Sequence, residues 1–441
     1  MSNFVKIEDS ASEILSHYVE EDLNLSGLTF ISDNSAKLLS KWMSKSERVE
    51  GEVIELHLNG LTSLSDSAAK SLSKFEGYEL HLNGLTSLSK SAAQDLAKFN
   101  GVRIHLDGLT SLSNYVAKSL ITLSWDSLNL DKLTSISDAA VDSLSKFKGW
   151  SLSFNSLTTI SEKGAKSLSK SKVDYLDLGL TSISDSVAES LSRFKGDGLF
   201  LNGLTSLSES AAQSLAKFKG SCIHLSVLTS LNDNVAESLS KFNGDTLSFA
   251  SLTILSGKGA ESMAKFKGDL HLCGLTFLSD AAAEGLSKFS GPWLYLDGLT
   301  TISDEVAKKL SGFKTQLSLS GLKTLSDAAA VSLSKFSGQY LFVDDLSSLS
   351  ENAAKSLSKF KGDDYDLMVQ EKFKIEREQQ IKNRQTEERL IAEKIKENIQ
   401  SLSDEQKKEY DLLLAEYRES DASRKWEIYD TFKKRNWGTP Y

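Results

Sequence analysis

A Gly-Leu-Thr element whose Leu returns every 23 or 24 residues constrains this chain more than any other feature. The Leu stands at Leu28, then at Leu61, Leu85 and Leu109, and so on to Leu346, giving fourteen units of which only the first interval is stretched, by nine residues. Self-similarity at this period implies a solenoid, in which each unit touches only its neighbours and the domain count usual for 441 residues does not apply.

The second unit, Ile54 to Gly77, contains two periods. Leu56 and Leu58 alternate with polar Glu55, His57 and Asn59, the period-two pattern of a short strand with one buried face. Leu64, Ala68, Leu72 and Phe75 then recur at helical spacing, after Ser65 or Asp66 as N-cap and before Gly77, which is expected to end the helix in the left-handed conformation. The few large apolar side chains of one unit cannot offset the entropy of ordering all of it, so a lone unit does not fold. Stacking supplies what is missing, because each strand pairs with the next in a parallel sheet and each Leu set is covered by its neighbours.

The unit resembles the leucine-rich repeat family, and within it a bacterial subtype written Leu-x-Leu-x-Gly-Leu-Thr-x-Leu-Ser-Asp-x-Ala-Ala-x-x-Leu-x-x-Phe-x-Gly, over roughly residues 23 to 362. The resemblance implies an α/β solenoid with its parallel sheet on the concave side and short helices on the convex side. It also implies a non-enzymatic role in binding a protein or peptide. One position departs from the family: the Asn usual five residues after the first strand Leu is replaced by Leu61, Leu85 and their equivalents, so the Asn ladder is absent. The adjacent Thr62, Thr86 and Thr110 hydroxyls are expected to satisfy the turn carbonyls instead.

Lys and Arg number 51 against 60 Asp and Glu, a net charge of −9 with no dense basic block, which argues against nucleic acid and anionic membrane as partners. No stretch approaches the ~20 apolar residues that span a bilayer, and no basic segment followed by an apolar run opens the chain. The expectation is a cytoplasmic protein. Cys222 and Cys273 lie two units apart, on strands about 10 Å from each other, too far for a disulfide and in keeping with a reducing compartment.

The array (23–362) is flanked by two other segments. Residues 1–22 are expected to form a helical cap over the first coil, with Ile14, Leu15 and Tyr18 at helical spacing. Residues 363–441 contain no Gly or Pro between Asp363 and Trp437 and read as a helical tail. Its pieces are a polar helix over 370–389, an apolar stripe of Leu390, Ile391, Ile395, Ile399 and Leu402, and a capping box at Ser403 to Gln406. These stripes either pack together or against the last coil, or serve docking onto a foreign chain or self-association.

In such a fold the residue between the two strand leucines lines the concave sheet. Five of the six histidines occupy that register: His57, His81, His105, His224 and His271. The first three fall on consecutive coils about 4.8 Å apart. Mutual repulsion and desolvation should keep them neutral at pH 7, against the pull of Glu55, Glu79 and Asp107. Two stacked imidazoles and a carboxylate are the donor types of a divalent metal site or a pH-sensitive strip. A straight ladder, however, brings only adjacent pairs within reach of one ion, whereas tetrahedral sites need converging ligands, so no metal or other cofactor is assigned. Further along the register come Phe200, Tyr295 and Phe342, joined by Trp293 and Tyr340, with Gln316, Ser318 and Ser320 between. Exposed aromatics around a low floor suit a partner-binding hot spot; the alternative is that the C-terminal helices cover them.

Catalysis needs a nucleophile, a base and an orienting group that converge, and parallel rows do not offer this. Ser65, Ser89, Ser113 and Ser137 recur as helix caps, and Ser256-Gly-Lys-Gly259 lacks the Gly-x4-Gly-Lys-Ser/Thr spacing of a phosphate loop and reads as a degenerate cap. A His105 pair with Asp107 or Asp131 has no nucleophile to serve. The sequence thus points to a non-enzymatic scaffold for a protein or peptide. Assembly through the tail, or a metal- or pH-responsive histidine ladder, are the alternatives.

Overall fold

The structure, a computed structural model, describes residues 6–17, 22–42, 54–122, 126–347, 349–357, 359–360, 406–408 and 411–412. Among them, short strands and seven-residue helices alternate. The strands are β1 (Asp22–Asn24), β2 (Glu55–His57), β3 (Glu79–His81), β4 (Arg103–His105), β5 (Ser127–Asn129), β6 (Ser151–Phe154) and β7 (Tyr175–Leu178). They continue with β8 (Gly198–Phe200), β9 (Cys222–His224), β10 (Thr246–Ser248), β11 (Asp269–His271), β12 (Trp293–Tyr295), β13 (Gln316–Ser318) and β14 (Leu341–Phe342). Each pairs in parallel with its sequence neighbour, in a four-stranded sheet β1 to β4 and a ten-stranded sheet β5 to β14. The register sets Leu56, Leu80 and Ile104 on adjacent rungs, all buried. Strands spaced by ~4.8 Å back onto helices that need 8–10 Å between axes, so the stack bends with the sheet on its concave side. The fold is a leucine-rich-repeat solenoid.

The Leu-Ser-Asp triplet has a physical reason. Ser65 Oγ accepts from the Ala68 N–H at 3.0 Å, capping its own helix, and donates to Asp33 on the preceding coil. The same link joins Ser161 to Asp138 at 2.5 Å, Ser208 to Asp185 at 2.6 Å and Ser256 to Asp233 at 2.5 Å. Each serine therefore satisfies a free helix N–H and ties two coils, while the aspartate favours the positive end of its own helix. Ser256 is a helix cap, as its sequence suggests.

Two local expectations are corrected. The second unit's helix stops at Leu72, so Phe75 lies beyond it, and Gly77 does not take the left-handed conformation. Gly77 is needed for space: a Cβ there would lie 2.1 Å from the Phe75 ring and 2.9 Å from the Ile54 carbonyl oxygen. The phenylalanines fold over these glycines and stack into an internal spine, with Phe194, Phe218, Phe242 and Phe266 at centroid spacings of 6.1, 6.2 and 6.1 Å. The missing Asn ladder is rebuilt two residues earlier. Asn59 Oδ1 accepts from Asn83 N–H and Asn83 Oδ1 from Asp107 N–H, both at 3.1 Å, and Asp131 and Asp297 do the same further on. Of the three threonines expected to help, Thr110 donates its hydroxyl to the Thr86 carbonyl at 3.2 Å, whereas Thr62 and Thr86 make no such bond among the described residues; Thr205 and Thr253 repeat the Thr110 contact further on.

At the N-terminal end, the helix Asp9–Leu15 imitates a coil: its Asp9 carboxylate accepts from Ser32 Oγ at 2.6 Å and Ser35 Oγ at 2.7 Å. Leu15 packs on the core, but Ile14 is 74% exposed and does not. Tyr18 and nearly all of the 363–441 segment, including the residues expected to form a polar helix and an apolar stripe and all of the expected capping box but Gln406, lie outside the described residues. The strand ladder is interrupted between β4 and β5, where a cleft of about 310 Å³ is lined by Arg103, His105, Asp107, Ser127, Asn129 and Ser151. In the sequence of this junction, Leu123-Ser-Trp125 replaces the Phe-x-Gly of the repeat. Cys222 and Cys273 are free thiols, and no helix among the described residues is long and apolar enough to cross a membrane.

Candidate functional site

Side chains two residues apart on a strand share a face. On β2, β3 and β4 this puts His57, His81 and His105 in one row and Glu55, Glu79 and Arg103 in the next. The three imidazoles stack at 4.1 Å between centroids, with interplanar angles of 20° for the first pair and 5° for the second. Glu55 Oε2 lies 3.2 Å from the Nε2 atoms of both His57 and His81. Glu79 Oε2 lies 2.7 Å from His105 Nε2 and 3.5 Å from that of His81. Each carboxylate therefore sits between two rings. Convergence was not expected of a straight ladder; it arises because Glu55 and Glu79, two residues before His57 and His81, each reach sideways to the histidine of the next rung.

His81, in the middle, is pushed down to about 4 by burial first and then by repulsion from His105 and His57, with Glu79 pulling the other way. It is neutral at pH 7, in line with the sequence argument. His105 finds its partner in Glu79 rather than in Asp107 or Asp131, and burial raises the Asp107 carboxyl. Arg103 Nη1 approaches Glu79 Oε1 at 3.5 Å, while its Nε is buried without a hydrogen bond among the described residues. His224 and His271 stand apart from this cluster. His224 packs on Phe200 at 4.5 Å and His271 stacks on Tyr295 at 4.0 Å, and burial lowers both pKa values.

At the other end of the face, β12, β14 and Tyr340 just before β14 supply the aromatic residues. Trp293 lies 5.5 Å from Tyr295, 6.0 Å from Tyr340 and 5.2 Å from Phe342, and the last two are 6.4 Å apart. All four are half-buried. The rings thus reach across β13 and form one plate, where the sequence suggested two walls about a floor. Below it Ser318 is buried and donates to Asp297 Oδ1 at 2.5 Å, and Gln316 Oε1 is buried without a partner among the described residues.

A third cluster escaped the sequence reading. Phe200 lies 5.8 Å from Tyr175, which meets Trp150 edge-on at 5.1 Å. Trp150 is 57% exposed, and the three rings wall a groove of about 490 Å³ with Asp131, Asn155 and Asp177. Burial raises the Asp177 carboxyl. The signal was present: Tyr175 opens its strand as Trp293 opens β12. Both stand two residues before the position between the strand leucines, outside the register that carries the histidines.

No family model and no curated protein matches this sequence. Among solved structures the chain is similar to Toll in the Toll–Spatzle complex of Drosophila, at 14% identity and a TM-score of 0.42, over 66% of this chain and 42% of that one. The glycosylated form of the complex gives 16% identity and a TM-score of 0.41, over 65% and 42% of the two chains. An internalin from Listeria monocytogenes gives 14% identity and a TM-score of 0.31, over 81% of this chain and 88% of that one. This chain thus spans about two fifths of the length of the Toll chain.

Proposed function

We propose that the chain is a non-catalytic scaffold that receives a protein or peptide on its concave sheet, anchored by the plate of Trp293, Tyr295, Tyr340 and Phe342. One observation carries this reading: four half-buried rings, 5.2 to 6.4 Å apart, gather on a face whose other positions are mostly polar. Aromatic side chains lose little conformational entropy on binding and bury large areas, which makes such clusters the usual centres of binding energy. Phe200, with Trp150 and Tyr175, offers a second contact along the same face.

The test is affinity capture from the native cell with the full chain, followed by replacement of Trp293, Tyr295, Tyr340 and Phe342 with alanine. The captured partner should be lost, each of the stronger anchors contributing about 2 kcal/mol or more. A partner retained at unchanged affinity removes the plate from the function.

A further inference from the structure

The Glu55, His57 and His81 side chains are close enough to share an ion, and so are Glu79, His81 and His105; within each group the ligand atoms all lie within 4.8 Å of one another. Donors bound 2.0–2.2 Å from a tetrahedral zinc stand roughly 3.3 Å apart. Glu55 Oε2 lies 3.2 Å from both His57 Nε2 and His81 Nε2. The second group is less even, at 2.7 and 3.5 Å.

We propose that Glu55, His57 and His81 bind one divalent transition-metal ion of the zinc class, and that Glu79, His81 and His105 do not. Two imidazoles and one carboxylate form a nitrogen and oxygen donor set that suits zinc and leaves a fourth position for water or a ligand. Three features favour the first group. Its rings are less parallel, at 20° against 5° in the second, and rings stacked in parallel cannot both aim an Nε2 lone pair at one point. Its carboxylate has two equivalent neighbours. The second group carries the Arg103 guanidinium beside Glu79, a fixed positive charge that opposes a dication and competes for its carboxylate. His81 belongs to both groups, so the two cannot fill together.

The experiment titrates the untagged full chain with zinc chloride near pH 7.5 by calorimetry, and with cobalt(II) to read its coordination from the visible spectrum. Wild type should take one equivalent with the absorption of a four-coordinate site. His57→Gln, Glu55→Gln and His81→Gln should each weaken binding by about 100-fold or more, while His105→Gln should leave it within about threefold. Matched melting temperatures establish that the variants remain folded. No zinc uptake by wild type overturns the proposal. So does His81→Gln binding at wild-type affinity, and so does His105→Gln falling as far as His57→Gln.

Discussion

The histidine end and the aromatic end of the sheet face are built on the same rungs and differ only in what projects from them. On β2 to β4 consecutive rungs carry the same ring, and adjacency creates properties that no single unit has: a shared carboxylate, mutual repulsion and a depressed central imidazole. On β12 and β14 the rings sit on alternate rungs, and the small side chains of β13 let them close into one apolar plate. A repeat scaffold can therefore carry two chemistries at opposite ends without altering its core. What matters is the relation of a side chain to the neighbouring coils, more than the motif inside one coil.

The comparison breaks first if the two ends are one cooperative unit. Gly101→Val inserts atoms where a Cβ would already lie 2.3 Å from the Phe99 ring and 2.5 Å from the Gly77 carbonyl oxygen. Overpacking of this kind is expected to cost about 3 kcal/mol. The strand ladder stops between β4 and β5 and repeat units unfold locally, so hydrogen exchange should accelerate in β2 to β4 while β11 to β13 keep their protection. Equal loss at both ends would make the interruption irrelevant to stability.

Acid sharpens the contrast. His81 has a folded pKa of about 4 against an ordinary 6.5, so the unfolded chain binds the proton more readily. Its contribution is fully present above pH 6.5 and is lost as pH falls toward 4, the positive neighbours being His57, His105 and Arg103 and the opposing charges Glu55 and Glu79. The loss is on the order of 1–2 kcal/mol after allowance for solvent screening. Urea melts at pH 7 and pH 4.5 should show it, and His81→Gln should change the difference between them by that amount, the buried His224 and His271 contributing separately. A smaller effect belongs to both ends alike: Ser208→Ala deletes a helix cap and its tie to Asp185 and should cost about 1 kcal/mol by the same melts.

The array, its strand register and the inward leucines were legible because each follows from periodicity alone, as Leu56, Leu80 and Ile104 illustrate. The serine caps were legible because a cap is a local hydrogen bond. The true length of the helix was not, since Phe75 continues the helical spacing of apolar residues but packs as the side chain of a turn. Gly77 misled for a related reason: sequence shows that a side chain is missing, and only packing shows whether backbone freedom or empty space was required. At the histidine end the stacking was readable from one register, but the paired carboxylates needed two registers and the distance between rungs. Tyr175 needed the same second register, and Trp150 lies one residue before that register.

Departures from the repeat leave marks at the aromatic end that permit a last, small test. Thr315 stands two residues after Phe313, where most units have glycine, and its Oγ1 is buried with no hydrogen-bond partner among the described residues. A hydroxyl held in that way costs desolvation and returns nothing, and valine has the same shape without it. Thr315→Val should therefore raise stability by about 0.5 kcal/mol, measured as a higher urea midpoint with an unchanged slope. At the histidine end the equivalent position is Gly77, where any added side chain meets the Phe75 ring, so the sign must reverse there. A fall in stability for Thr315→Val would mean that its hydroxyl is bonded, through water or through the tail, and that the floor beneath the aromatic plate is wetter or more covered than its described neighbours make it.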